Sequence, residues 1–325
     1  MSKVNLKDKT LVSVVLATFN GEKYIKQQIM SIVSQTRLPD EIIFVDDCSQ
    51  DRTIDIINEM IEKFPQNIYV KKIFREKNVG YVTNFIDGIF QTKGDLVFTC
   101  DQDDIWLPSK ISMSLNFFKE RKDCLALHSN TILIDKDNNI LKKNAQEYYK
   151  EKKVNIETFI KKINYPGMAL AFKRDKIIQI FESYKILSLN LPTHDWTICL
   201  AAVLGDGFYI TDKVYTMRRY TGFNVALKIN ENRLVDSSDR IMGINQYIKY
   251  YDFLIEICEL NSSKTFIDGR KYLSNALYRI AYLEELSLLM VAKNIMGLKY
   301  YPSLKSFLGD IILILKSKLV RRKIK

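Results

Sequence analysis

A chain of 325 residues with 47% hydrophobic and 27% charged residues has the make-up of a globular protein, not of a disordered or fibrous one. Its formal charge of +11 asks for an anionic partner and leaves nucleic acid, anionic lipid and phosphorylated small molecules open. Five cysteines with no CxxC spacing, and only two histidines, argue against a disulfide framework and a cysteine zinc site; a metal here must be a hard ion held by carboxylates.

Leu11 to Ala17 is a β-branched apolar run, the mark of a strand buried on both faces. After Thr18-Phe19-Asn20-Gly21, the spacing of Ile25, Ile29, Ile32 and Val33 predicts a helix, broken by Pro39 and Asp40. Glu41 to Val45 is a second strand, ending in Asp46-Asp47-Cys48-Ser49. Asp51 then caps a helix carrying Ile57, Met60, Ile61 and Phe64. Ile68 to Phe74 is a third strand. Val82, Phe85, Ile86, Ile89 and Phe90 mark a third helix, and Gly94-Asp95 turns into the apolar run Leu96-Val97-Phe98-Thr99. Strands alternating with helices at this length indicate βαβ units and a parallel sheet.

Beyond the fourth strand lies Cys100-Asp101-Gln102-Asp103-Asp104-Ile105-Trp106-Leu107-Pro108, with a helix expected from about Pro108 to Lys122. Cys124 to Ile134 reads as a strand, Lys136 to Lys153 as a lysine-rich loop or hairpin, and Tyr165 to Phe172 as a turn into a strand. A helix opens at Leu191-Pro192-Thr193-His194-Asp195-Trp196, and Phe208 to Met217 is a further strand. From Ser237 the chain is helix-rich: Ile241, Ile244, Ile248, Tyr251 and Ile255 keep helical spacing, as do Leu273, Leu277, Ile280 and Leu283. With a polar, aperiodic stretch near 226–236, the expected division is a catalytic domain over 1–230 and a helical region over 231–325.

Three carboxylates within four residues, Asp101, Asp103 and Asp104, repel one another at a strand exit. Such a turn either holds a cation or serves as a solvated cap for the next helix. The first βα turn has one glycine, so neither a G-x-G-x-x-G fingerprint nor a P-loop is present. The acidic pair Asp46-Asp47 can accept hydrogen bonds from a ribose hydroxyl or a base N–H, or can cap a helix with Ser49 and Asp51. These polar clusters all follow strands, where open α/β sheets bind ligands.

Taken in order, LVSVVLATFNG, FVDDCSQDRT and DQDDIWLP resemble glycosyltransferase family 2 over roughly residues 11–225, especially members that make bacterial surface polysaccharides, rhamnosyltransferases among them. The resemblance implies a GT-A nucleotide-sugar-binding fold with a mainly parallel central sheet, followed by a helical C-terminal region. It implies an inverting transfer of a sugar from a nucleoside-diphosphate donor, with Mn²⁺ or Mg²⁺ as cofactor. By the same resemblance Thr18 and Asn20 belong to the nucleotide pocket and Asp47 contacts the base. Asp101 lies near the ribose, Asp103 on the metal and Asp104 in the turn, while Asn78, Gly80 and Asn84 match a weaker donor-site motif. Asp195 falls where the family has its general base; by position alone it would be a helix cap. Arg218 and Arg219 precede Tyr220, which stands where a histidine is frequent, and Thr221-Gly222-Phe223-Asn224 is one residue longer than the usual loop over the diphosphate. His194 either orients Asp195 or is an ordinary histidine, and Trp106 and Trp196 are either walls for a sugar ring or core aromatics.

The tail carries a separate signal. Leu304, Leu308, Ile311, Ile312, Leu315 and Leu319 share a broad helical face, and Lys316, Lys318, Arg321, Arg322, Lys323 and Lys325 follow with no acid among them. That pattern fits a helix in a membrane interface, or one packed on the protein with a basic end. The N-terminus lacks a signal-peptide core and no apolar run is long enough to span a bilayer. The expectation is therefore a cytoplasmic enzyme on the inner face of the cell membrane, acting on a glycan or lipid-linked acceptor and not on nucleic acid. Two other readings are a nucleotidyltransferase that makes a nucleotide sugar, and a basic nucleic-acid-binding module.

Overall fold

The structure, a computed structural model, describes residues 10–221, 237–261 and 268–323. The chain forms two compact units. The first comprises 1–155, 165–181 and 193–221; the second comprises 156–164, 182–192 and 222–325. The expected boundary at 230/231 lies outside the described residues, and two segments well before it belong to the helical unit.

The first unit is built on one mixed sheet of ten strands. β1 (Val12–Thr18), β2 (Glu41–Asp46), β3 (Tyr69–Phe74) and β4 (Leu96–Asp101) pair in parallel in the order β3-β2-β1-β4. Between them run α1 (Ile25–Val33), α2 (Thr53–Ile61) and α3 (Tyr81–Phe90). α1 packs beside α2, and α3 lies against β1 and β2. Alternation along β1 turns Val12, Val14 and Leu16 into a core with Ile29, Phe44 and Phe98. Because β4 joins on the far side of β1 from β2, the strand order reverses at β1. There the exits line up: Thr18 is in register with Asp46, and Ala17 with Asp101.

The rest of the sheet is mixed. β9 (Leu170–Lys173) runs antiparallel to β4 and to β6 (Ala126–Ile134), while β10 (Phe208–Arg219) runs parallel to β6. β7 (Ile140–Lys142) and β8 (Lys152–Lys153) are short strands within the lysine-rich stretch, pairing β6 and β10. β5 (Ile105–Trp106) was not foreseen. It pairs antiparallel with Met217 and Thr216 of β10, and only then does α4 (Lys110–Glu120) begin. A helix over Arg174–Ser183 also escaped the periodicity reading. The helix after β1 ends at Val33, well before Pro39.

In the second unit the helices Ser237–Leu260, Gly269–Glu284, Leu288–Lys293 and Leu304–Lys323 meet the helix-rich expectation. No helix among the described residues is long and apolar enough to cross a membrane. The buried face of Gly269–Glu284 differs from the leucine spacing: Leu277 is 51% exposed, whereas Tyr272, Asn275, Ala276, Arg279 and Tyr282 are buried. The cause is Asp310, fully buried on the last helix. It accepts from Arg240 Nε at 2.6 Å and Arg279 Nε at 3.0 Å, and the Tyr282 hydroxyl donates to it as well. Apolar periodicity does not register a helix that buries its polar residues around a charge.

Removing one partner of a buried ion pair strands the other. Asp310→Ala is expected to destabilise the helical unit by about 3–5 kcal/mol. Urea unfolding followed by tyrosine fluorescence measures it, and a loss below about 1 kcal/mol would show that the network contributes little.

Candidate functional site

Three loops meet at the carboxyl ends of β1, β2 and β4. At the first, Asn20 takes a left-handed backbone (φ 48°), which asparagine tolerates. Its N–H donates to Ser49 Oγ at 2.8 Å and its Oδ1 accepts from the Gln50 N–H at 2.8 Å. Thr18 Oγ1 donates to Asp46 Oδ2 at 2.6 Å, and Asp46 also accepts from the Ser49 N–H and hydroxyl. Thr18, Asn20 and Asp46 thus fix the first two loops to each other. Asp51 accepts from the Thr53 hydroxyl and from the Glu22 and Thr53 N–H groups, each N–H at 3.0 Å, and these bonds outweigh burial and pull its carboxyl below the usual range. The N-cap of α2 is Arg52, with no side-chain cap, so Asp51 ties two loops together and is not the cap expected of it.

Asp47 is buried, and its two oxygens accept from the Val79 N–H at 2.7 Å and the Gly80 N–H at 2.9 Å. Asn78 Nδ2 donates to the Asp47 carbonyl at 3.2 Å. Asp47 therefore anchors the loop that starts α3, and each of its oxygens keeps a lone pair directed elsewhere. Asn84, 1% exposed, bridges the Val45 carbonyl and Arg75 Nε, a role inside the fold.

The acidic turn is held from several sides. Gln102 grips the backbone of Phe19 through both amide atoms, accepting from its N–H at 2.8 Å and donating to its carbonyl at 2.9 Å. A side chain at Gly21 would bring a Cβ to 2.2 Å from Gln102 Oε1, so the single glycine of the first turn makes room for this clamp. Arg219, buried, donates from Nε to the Asp103 carbonyl at 2.8 Å and from its backbone N–H to Asp104 Oδ1 at 2.8 Å. Asp104 Oδ2 is buried without a partner, and burial plus the charges of Asp103 and Asp101 push this carboxyl well above its ordinary range. Asp104 thus holds the turn, as expected. Beneath it Lys110 is sealed in: Nζ donates to the Met168 carbonyl and to Thr216 Oγ1 at 2.9 Å, and lies 4.1 Å from the Trp106 ring. Burial lowers this ammonium to about 7.

Asp101 has its carboxyl raised to about 7, first by burial, then by Asp103 and Asp195, against the pull of Arg218 and Lys110. Asp101, Asp103, Asp195 and Arg218 therefore share one electrostatic neighbourhood. Arg218 is 5% exposed and its Nε has no partner. Asp195 stands in the first turn of α7 (His194–Leu204), but Thr193 is the N-cap, its Oγ1 accepting from the Trp196 N–H. The cap reading of Asp195 holds in part: its Oδ1 accepts from the same Trp196 N–H at 2.8 Å, against 3.3 Å for Thr193 Oγ1, while the residue stays partly exposed. Gly167 sets its position, because a Cβ there would lie 2.8 Å from His194 Nε2 and 3.5 Å from Asp195 Cβ, and its carbonyl accepts from Thr99 Oγ1 at 2.6 Å.

His194 is buried and stacked on Phe85 at 3.9 Å, with neither ring nitrogen hydrogen-bonded and its pKa lowered by burial. It is a neutral core ring under Asp195. Trp106 and Trp196 are 2% and 0% exposed, so both are core aromatics and neither walls a sugar. Sequence reasoning missed Gln102, Lys110, Gly167 and Tyr81. Tyr81 is half exposed, edge-on to His194 at 6.0 Å, and its phenol is raised by burial and then by Asp195 and Asp101. A lone Tyr, Lys or Gly gave no signal; Gln102 sat in plain view between two aspartates. Gly222, Phe223 and Asn224 lie outside the described residues.

Among the described residues no three His, Cys, Asp or Glu side chains converge tightly enough to hold a metal unaided. Asp101 and Asp103 still fit a hard cation of the Mg²⁺ or Mn²⁺ kind. Such ions take one or two carboxylates from protein and the rest of their oxygens from substrate phosphates and water.

Lys110 yields a pH prediction. Its folded value near 7 lies below the free value of 10.5, so between those limits the unfolded chain binds more protons and stability rises with pH. Lys110→Met should flatten that rise between pH 7 and 9.5, read from urea midpoints against the parent protein. Identical slopes would refute the assignment.

The glycosyl transferase family 2 profile matches residues 13–181, more than half of the chain. An uncharacterized glycosyltransferase of Methanocaldococcus jannaschii is 30% identical over 197 residues, covering 60% of this chain and 66% of that protein, so the match spans slightly under two thirds of that relative. The dTDP-rhamnosyl transferase RfbG of Shigella flexneri is 24% identical over 293 residues, 82% of this chain and 92% of that one. Among solved structures, S. aureus TarS 1–349 with UDP-GlcNAc superposes with a TM-score of 0.57 at 17% identity, covering 95% of this chain and 92% of that one. The mannosyltransferase PcManGT from Pyrobaculum calidifontis with GDP-Man and Mn²⁺ gives 0.52 at 14% identity, over 95% and 88%. At those identities the structural likeness bears on the fold, which is GT-A. Sheet order, strand-end loops and the profile match lead to one assignment: this chain belongs to glycosyltransferase family 2.

Proposed function

We propose that the chain is an inverting, metal-dependent glycosyltransferase. It moves a sugar from a nucleoside-diphosphate donor, dTDP-rhamnose or a UDP-sugar, to a glycan or lipid-linked acceptor in surface polysaccharide synthesis, at the cytoplasmic face of the cell membrane. The observation that carries this reading is the convergence of Asp101 at the end of β4 and Asp103 in the turn after it with Asp195 from α7 and Arg218 from β10. The near end-to-end match to a dTDP-rhamnosyl transferase supports rhamnose among the donors.

In this reading Thr18, Asn20, Asp47 and Asn78 form the nucleotide pocket, with Asp101 toward the ribose. Asp103 would hold Mn²⁺ or Mg²⁺, which would supply Lewis-acid neutralisation of the leaving group. Arg218, whose buried Nε has no partner, would balance charge on the same diphosphate. Asp195 takes the proton of the acceptor hydroxyl as that oxygen attacks the anomeric carbon and the nucleoside diphosphate departs from the opposite side, inverting the centre. Tyr81, between Asp195 and Asp101, keeps its phenol protonated and able to donate to a sugar hydroxyl.

Two substitutions test this. Asp103→Ala should abolish Mn²⁺-dependent binding of UDP and dTDP, measured by calorimetry; undiminished metal-dependent binding sinks the site. Asp195→Asn should bind those nucleotides normally yet lose transfer by about 10²–10⁴-fold. A normal turnover rate removes Asp195 as the base, and formation of a nucleotide sugar from a sugar phosphate and a nucleoside triphosphate would point to nucleotidyl transfer instead.

A further inference from the structure

The last helix, Leu304–Lys323, has two apolar faces, and the fold uses only one of them. Asp310, Leu313 and Ile314 are buried, and the Asp310 ion pairs with Arg240 and Arg279 fix that face inward. At 100° per residue, Leu304, Leu308, Ile312, Leu315 and Leu319 fall within an arc of about 80° on the other side. Each is between 45% and 66% exposed. The helix packs on its own unit and still presents a leucine stripe outward. Ile311, half-buried, lies about 20° beyond Leu304 at one edge of that stripe.

Charge identifies the occupant. Lys305 and Lys316 are exposed along one flank of the stripe and Lys318 along the other. Arg321, Arg322, Lys323 and Lys325 follow in the sequence, and no acidic residue occurs after Asp310. The neighbouring segment adds exposed Leu289 and Met296, the latter 85% exposed, beside Lys293 and Lys299. A second copy of a chain with charge +11 would bring like charges together across such a face. A bilayer with anionic headgroups accepts the leucines between its acyl chains while the lysines reach outward to the phosphates.

We infer that the Leu304–Leu319 stripe is a pre-formed, ion-pair-locked docking face for an anionic lipid bilayer. It deepens the reading of a lipid-linked acceptor by naming the surface that meets the membrane, and its test does not depend on transfer.

The test is co-sedimentation of the full chain with vesicles of phosphatidylcholine alone and of phosphatidylcholine with phosphatidylglycerol. The parent protein should bind the anionic vesicles and bind the neutral ones far less. The triple variant Leu308→Asp, Ile312→Asp, Leu315→Asp should lose binding while keeping its melting temperature and its nucleotide binding, since Asp310 and the catalytic residues are untouched. Lys305→Glu with Lys316→Glu should cost about fivefold or more per charge on anionic vesicles. No binding to either vesicle overturns the proposal, as does binding unaffected by the aspartate variant. Self-association abolished by that variant, with no vesicle binding, would assign the face to a second copy. Loss of nucleotide binding by Asp103→Ala is read separately, so failure of the catalytic reading and failure of this one are distinguishable.

Discussion

The upper edge of the sheet is shaped by repulsion among Asp101, Asp103 and Asp104. Three acids in four residues would force the turn apart unless positive groups and N–H donors were brought to it. β10 delivers them. By pairing with β5 it lays Arg218 and Arg219 against the turn, where the Arg219 N–H meets Asp104 and its guanidinium meets the Asp103 carbonyl. Lys110 answers from below, stripped of water and held by Met168 and Thr216. The compensation is incomplete: Asp101 keeps a raised proton affinity and Asp104 an unpartnered oxygen. A turn left short of positive charge is one that gains from a cation shared with a diphosphate.

The loops around this turn are held by side-chain contacts that leave their ends facing outward. Gln102 binds the β1 loop, Asp47 the α3 loop, and Gly167 lets α7 approach so that Asp195 and Asp101 feel each other's charge. Each contact joins segments more than twenty-five residues apart. Contacts of this kind fix the loop positions before any ligand arrives, and fixed dipoles are what electrostatic catalysis draws on.

The two units solve burial differently. The sheet unit buries alternating β-branched residues, so its pattern is plain in the chain. The helical unit buries an aspartate with two arginines and tyrosines, which turns Leu277 outward and leaves a leucine stripe exposed on the last helix. A polar interior in one place and an apolar exterior in the other are two sides of the same packing choice.

What the chain alone determined was what is local. Strand and helix periodicity placed β1 to β4 and their helices within a residue or two at most boundaries, and the three motifs identified the family. It missed β5 because two residues carry no period, and the Arg174–Ser183 helix because its apolar face is thin. Only the tertiary structure decided that Thr193 and Asp195 share the cap of α7, that Trp106 and Trp196 lie in the core, and that Arg219 serves the fold while Arg218 keeps an unpartnered Nε. Those outcomes depend on solvent exposure and on partners far along the chain, and neither is encoded in the spacing of residues within a single segment.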